Sequence, residues 1–213
     1  MERLGAVILC GGRSRRMGRP KEWMPIGEET FLQRMVRLVS TRTPLVVVAA
    51  AKGQELPALP AEVERVFDLE PDRGPLQGFA VGMQALASRS TWAFACATDC
   101  PLLRPEWIDR LLACTSDKMD LILPHVEGHD QPLAALYRPE VAAEAAAELL
   151  ATGQTPLRLI RNQLRTHTVE AEILADVDPD FLTVRNINTQ SDYEILIELL
   201  SDPEMNPIRK SRD

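Results

Sequence analysis

Five cations, Arg13, Arg15, Arg16, Arg19 and Lys21, fall within nine residues, directly after a glycine pair, Gly11-Gly12, that closes a short apolar run. Glycines at the end of a buried strand let backbone N–H groups approach an oxyanion closely, because no Cβ stands in the way. Cations beside such amides neutralise the charge that builds as pyrophosphate leaves. The segment Leu9–Lys21, LCGGRSRRMGRPK, thus has the make-up of a triphosphate site, with Gly18 as a further flexible point. A charge run is more plainly read as a solvated loop, but the glycine pair at a strand's end argues against that reading here. The segment matches neither G-x-x-x-x-G-K-[ST] nor G-x-G-x-x-G, which weakens a Walker A reading and a dinucleotide-binding oxidoreductase.

A triphosphate site calls for a metal-binding carboxylate nearby. Asp99 follows the apolar run Trp92–Ala97 in ACATDCPLL and should emerge at the same sheet edge as the glycines. A carboxylate there suits Mg²⁺, which takes one or two protein oxygens and shares its other positions with phosphates and water. Capping a helix near Pro105 would be the structural alternative, but Asp99 stands six residues too early for it. Asp68 ends a weaker apolar run and shares its loop with Glu70 and Asp72; a solvated loop and a ligand contact are both open. Gly74-Pro75-Leu76-Gln77-Gly78 reads as a tight turn feeding a helix, either a plain junction or a site for anions and polar base edges. His125 and His129 are four apart, yet Pro124, Gly128 and Pro132 oppose a helix, so zinc is not indicated. Asn186 and Asn188 alternate along an expected strand, although such pairs near strand ends are commonly turn-formers. Cys10, Cys96 and Cys100 read as structural thiols crowding one sheet edge, and Trp23, Trp92 and Trp107 as core or wall residues.

The elements that must position these residues alternate between strand and helix. Strands are expected at Leu4–Leu9, Leu45–Ala50, Val63–Phe67, Trp92–Ala97, Leu121–Leu123, Leu133–Tyr137 and Phe181–Ile187. Helices are expected at Glu29–Ser40, Leu76–Ser88, Glu106–Cys114 with Pro105 as first residue, Pro139–Ala151 stopped by Gly153, Pro156–Leu164 and Ser191–Leu200. Such alternation implies a three-layer, doubly wound α/β fold with a mostly parallel sheet, whose ligands sit outside the carboxyl ends of the strands. One domain over residues 1–201 and a frayed polar tail over 202–213 are expected.

Bulk composition agrees. The chain has 213 residues, 45% of them apolar, enough to fill a core. Its net charge of −7 argues against a general nucleic-acid or membrane-surface binder. The opening MERLGAVILCGG is too short in apolar residues for a signal peptide or a membrane span, and no other run reaches the ~18 that a span needs. The cysteines form no C-x-x-C pair, so reduced thiols in a cytoplasmic protein are expected.

Leu9, Gly11, Gly12, Ser14, Arg16, Met17, Gly18 and Lys21 match the loop L-[AC]-G-G-x-S-x-R-M-G-x-x-K, and the chain thereby resembles the nucleotidylyltransferases that include the molybdenum-cofactor guanylyltransferases. Gly74-Pro75-Leu76-x-Gly78, Asp99-x-Pro101, Gln131-Pro132-Leu133 and Asn186-x-Asn188-Thr189 match in order, so the resemblance runs from Leu4 to about Leu200. It implies a Rossmann-like nucleotidylyltransferase fold. It also implies transfer of GMP from GTP to the phosphate of molybdenum-bound molybdopterin, with Mg²⁺ as cofactor. Lys21, Arg16 and Asp99 would be catalytic, with Asp99 on the metal. Leu9, Cys10, Gly11, Gly12, Asp68, Gly74, Pro75, Leu76 and Gly78 would line the nucleotide site. Gln131, Pro132, Asn186 and Asn188 would face the acceptor. Proteins that deliver molybdopterin or mature molybdoenzymes are implied partners. The chain departs from the pattern at Ala49, where enterobacterial-type relatives tend to carry a polar asparagine. A CTP-using molybdopterin cytidylyltransferase, a sugar- or polyol-phosphate nucleotidylyltransferase and a non-catalytic nucleotide carrier are the competing readings.

Overall fold

Leu4–Cys10 forms strand β1, and its alternation decides which residues meet which layer. Ala6, Ile8 and Cys10 point into one apolar cluster, and Val7 and Leu9 into another on the opposite face. In the computed structural model, which describes residues 3–11, 19–68 and 74–201, two short strands follow: β2 (Pro25–Ile26) and β3 (Glu29–Thr30). Helix α1 (Phe31–Ser40), β4 (Val46–Ala51), β5 (Glu64–Asp68), α2 (Pro75–Leu86), β6 (Trp92–Ala97) and α3 (Pro105–Leu112) come next. The chain then forms β7 (Leu121–Val126), β8 (His129–Asp130), β9 (Ala134–Tyr137), α4 (Pro139–Ala151), a 3₁₀ helix at Leu157–Asn162, β10 (Thr166–Glu170), α5 (Ala171–Leu174) and α6 (Gln190–Ser201). No helix among the described residues is long and apolar enough to cross a membrane.

The main sheet has the order β10-β7-β9-β6-β1-β4-β5, with β8 paired to β7. β1, β4, β5 and β6 pair in parallel, as do β7 and β10, whereas β9 runs antiparallel to both β6 and β7. The chain leaves β1 for β4 and β5 on one side and returns to β6 on the other. The carboxyl ends of β1 and β6 therefore flank the point where strand order reverses, where open α/β sheets hold their ligands. Helices α1, α3 and α5 cover one face around Trp92, Phe94 and Trp107; α2 and α4 cover the other around Phe79, Met83 and Tyr137. Each of these fully buried side chains contributes ~1.5–3 kcal/mol.

Several sequence expectations change. Glu29–Thr30 pairs with Pro25–Ile26, so α1 starts later than expected, and Thr30 and Gln33 close a reciprocal capping box there. The strand expected over Phe181–Ile187 is instead a 3₁₀ turn at Leu182–Val184 followed by extended chain. Buried Asp178 is the reason: its two oxygens accept from the N–H groups of Leu182 and Thr183 and tie them into a turn. The helix expected over Pro156–Leu164 is only the 3₁₀ stretch, and β10 beyond it was not anticipated. Trp92 and Trp107 lie in the core, but Trp23 is 41% exposed.

Gly82 sets the spacing of α2 on the sheet: a Cβ built there would meet a Val7 methyl at 2.4 Å. Gly82→Ala forces the helix off β1 and is expected to lower unfolding free energy by about 1–3 kcal/mol. A lower denaturant midpoint at unchanged slope would show it; an unchanged midpoint would contradict the close approach.

Candidate active site

Lys21 opens a single 3₁₀ turn, Lys21–Trp23, entered from the extended residue Pro20. Its ammonium donates to Asp99 Oδ2 at 2.7 Å and to Asn188 Oδ1 at 2.6 Å. Residues 78 and 167 positions apart in sequence thus converge on one nitrogen, with the Lys21 and Asp99 side chains only 19% and 22% exposed. Asp99 is held from three directions. The backbone N–H and hydroxyl of Thr98 both donate to Leu9 O, at 3.1 and 3.0 Å, locking the end of β6 to the end of β1. Buried Arg34 on α1 donates through Nε to Pro101 O at 2.6 Å. Ile187 N–H donates to Asp99 O at 2.8 Å, which draws the two asparagines to the site without a strand.

The turn at Asp178 supports that approach, since Arg104 N–H donates to Thr183 Oγ1 and Arg104 Nε lies 3.2 Å from Asp178 Oδ1. Asn188 is fixed from below: its N–H and that of Thr189 donate to Asp192 Oδ2, and Asp192 N–H donates back to Thr189 Oγ1. The Asn188 N–H, first among these bonds, holds the Asp192 carboxyl below the usual range. Sequence reasoning missed Asp192, although T-x-x-D ahead of an apolar helix is a legible capping signal.

Cys100 donates its thiol to Asn186 Oδ1 at 3.2 Å. Burial, and then the charge of Asp99, pushes that thiol well above the ordinary cysteine range. Burial and then Glu22 push Cys10 up to about 12. These are protonated thiols, and all four cysteines are free. Among the described residues no three His, Cys, Asp or Glu side chains gather into a metal cage. A metal at this edge would accordingly use Asp99, the asparagine oxygens and oxygens of its ligand. The donors suit it: Asp99 Oδ2 and Asn188 Oδ1 are hard oxygens already converging on one cation, the Lys21 ammonium.

A cation and a carboxylate thus meet at the crossover of a doubly wound sheet, where open α/β sheets hold their ligands. Residues 6–169 match the family model described as the MobA-like NTP transferase domain. The chain belongs to this family. A probable molybdenum cofactor guanylyltransferase of Mycobacterium avium is 34% identical over 199 residues, 92% of this chain and 95% of its own. One of the same description from Mycobacterium tuberculosis is 40% identical over 143 residues, 65% of this chain and 70% of its own. Among solved structures, molybdopterin-guanine dinucleotide biosynthesis protein A from Archaeoglobus fulgidus shares the fold, with a TM-score of 0.75 at 20% identity over 92% of this chain and 98% of its own.

Within this MobA-like transferase the other expected site residues divide. Arg16 and Gly12 lie outside the described residues, as do Glu70, Asp72 and the tail 202–213. Leu9 and Cys10 form the carboxyl end of β1, exposed Gly11 follows directly, and Asp68 ends β5 at the same edge. Gly74 precedes α2 at φ +71, a left-handed conformation that favours glycine. Pro75, Leu76 and Gly78 belong to the helix rather than to a turn before it, with Leu76 fully buried. A Cβ on Gly78 would lie 3.7 Å from Leu9 and 4.0 Å from Ala49, so Ala49 is covered by the first turn of α2.

Gln131 and Pro132 join β8 to β9, whose first residue, Ala134, pairs with Cys96 near the end of β6. Gln131 N–H donates to Pro124 O, and Pro132 O accepts from the Tyr137 hydroxyl. There His125 Nδ1 lies 2.9 Å from Asp130 Oδ1, and Arg161 donates to Asp130 Oδ2. Burial raises the Asp130 carboxyl, but the bonds from His125 and Arg161 outweigh it and hold the group below its usual range.

Proposed function

We propose that this chain transfers GMP from GTP to the phosphate of molybdenum-bound molybdopterin, forming molybdopterin guanine dinucleotide. The observation that supports this most is the Lys21 ammonium seated between Asp99 and Asn188 where β1 and β6 open. In the proposed reaction an acceptor phosphate oxygen forms a bond to the α-phosphorus, and the bond from that phosphorus to the bridging oxygen of pyrophosphate breaks. No covalent enzyme intermediate is needed, because positioning and electrostatics supply most of the rate. Lys21 and the Gly11 amide would hold the phosphates, with Gly12 and Arg16 completing the loop. Asn188 and Asp99 would keep Lys21 aimed, and Asn186, with Gln131 and Pro132, would face the acceptor. Asp99 would hold Mg²⁺. Bound there, Mg²⁺ would supply positive charge that offsets the negative charge of the phosphates. The reading carries cytoplasmic location with it, along with proteins that deliver molybdopterin.

GTP is expected to turn over faster than CTP by about tenfold or more, since one or two base-edge hydrogen bonds at ~1–1.5 kcal/mol each decide between them. Pyrophosphate release from a panel of nucleotides, with and without molybdopterin, measures this. Equal or better turnover of CTP would move the chain to a cytidylyltransferase reading, and release with sugar or polyol phosphates alone would replace the acceptor. Nucleotide binding without release under any condition would favour a carrier.

A further inference from the structure

Glu22 is a carboxyl-bearing side chain only 6% exposed, immediately after Lys21, and its hydrogen-bond partner among the described residues is a neutral amide rather than a cation. Gln54 Nε2 donates to Glu22 Oε1 at 2.6 Å. The same amide is fastened to the end of β4: its Oε1 accepts from Ala51 N–H at 2.9 Å, and Gln54 N–H donates to Ala51 O at 3.0 Å. Gly53, at φ +78, makes the tight reversal that lets Gln54 fold back on Ala51. The next residue repeats the tie, because the Trp23 indole N–H donates to Glu55 O at 3.1 Å.

A one-turn 3₁₀ segment has little rigidity of its own. Beside its own bonds to Asp99 and Asn188, Lys21 is anchored through the bonds that Glu22 and Trp23 share with the segment after β4. A buried carboxyl costs free energy unless its hydrogen bonds are made, so the Glu22–Gln54 contact resists being exchanged for water. We propose that Glu22 and Gln54 are positioning residues: their hydrogen bond fastens the Lys21 turn to β4 and thereby sets the reach of the Lys21 ammonium to Asp99. This inference rests on the role proposed for Lys21, but the placement can be read without turnover.

The experiment compares the accessibility of Lys21 to a small amine-acylating reagent, mapped by peptide mass and normalised to exposed Lys118, with kcat and nucleotide KM from pyrophosphate release. In Gln54→Leu, Lys21 is expected to label at least about threefold faster while kcat falls about tenfold and nucleotide KM shifts far less, since small misplacements of a reacting group act mainly on rate. Glu22→Gln keeps an oxygen acceptor for Gln54 and is expected to recover most of both readouts. If Gln54→Leu does not fold, Glu22→Met with Gln54→Leu removes the buried carboxyl together with its donor and takes its place. Folded protein of either kind with wild-type Lys21 labelling overturns the inference, as does a Glu22→Gln variant that loses as much as Gln54→Leu. Failure of the transferase reading is separable: wild type would release no pyrophosphate, yet the labelling difference would persist.

Discussion

Lys21→Ala is expected to keep the fold and lose turnover by at least about 100-fold. The size follows from what the ammonium does. A charge-assisted contact to a leaving phosphate in a partly enclosed site is worth ~3 kcal/mol or more at the transition state. Lys21 also satisfies Asp99 and Asn188 in the free protein, at 2.7 and 2.6 Å. Removing it leaves a carboxylate and an amide oxygen that are only partly solvated, so stability should drop by about 1–2 kcal/mol, or ~2–8 °C in Tm. The two effects are separable by measuring kcat well below the variant's own Tm. Near-normal activity in folded Lys21→Ala protein would remove the lysine from the chemistry and reduce its contacts to a structural ion pair.

Asp99→Asn is expected to remove Mg²⁺ dependence together with activity, and to spare nucleotide binding. Asp99 sits where β6 ends against β1, pinned by Thr98 on one side and Ile187 on the other, and it caps no helix: α3 starts from Arg104 with no side-chain cap. A negative carboxylate beside a triphosphate repels it unless a cation stands between them. Asparagine retains the shape and one oxygen, so Lys21 keeps a partner, but the charge that favours a divalent ion is lost. Turnover should fall by about 100-fold or more, the scale of losing one preorganised charge at a phosphoryl group. Metal-free GTP should bind as well as to wild type or better. Calorimetry of GTP with and without Mg²⁺, on both proteins, reads this directly. A variant that binds Mg²⁺·GTP like wild type and turns over would move the metal ligand elsewhere, with Asp68 first to be tried.

The parallel half of the fold was legible because β1, β4 and β6 are uniform apolar runs, and because α2, α3 and α4 each begin at a proline. That alternation placed Asp99 at the sheet edge of Gly11, while its direct contact with Lys21 came from the structure. The asparagine segment was harder. Its arrival depends on Asp178 twisting residues 182–184 into a turn and on a lone backbone bond from Ile187 to Asp99, and neither has a periodic signature. β10 was missed because Thr166–Glu170 is polar on alternate positions and its burial comes from pairing with β7, a contact between distant residues. Asp192 and the Glu22–Gln54 tie are similar cases: one was readable as a capping pair, while the other joins residues 32 apart through a turn that only Gly53 hints at.

Transfer of label from GTP distinguishes nucleotidyl transfer from hydrolysis and from γ-phosphoryl transfer. With GTP labelled at the α-phosphate and molybdopterin present, the account expects the label to appear in the dinucleotide product in equal amount to the pyrophosphate released, and in neither Lys21→Ala nor Asp99→Asn at a comparable rate. Label remaining in GTP, appearing as free GMP without the dinucleotide, or moving only when placed at the γ-phosphate would contradict nucleotidyl transfer at this site.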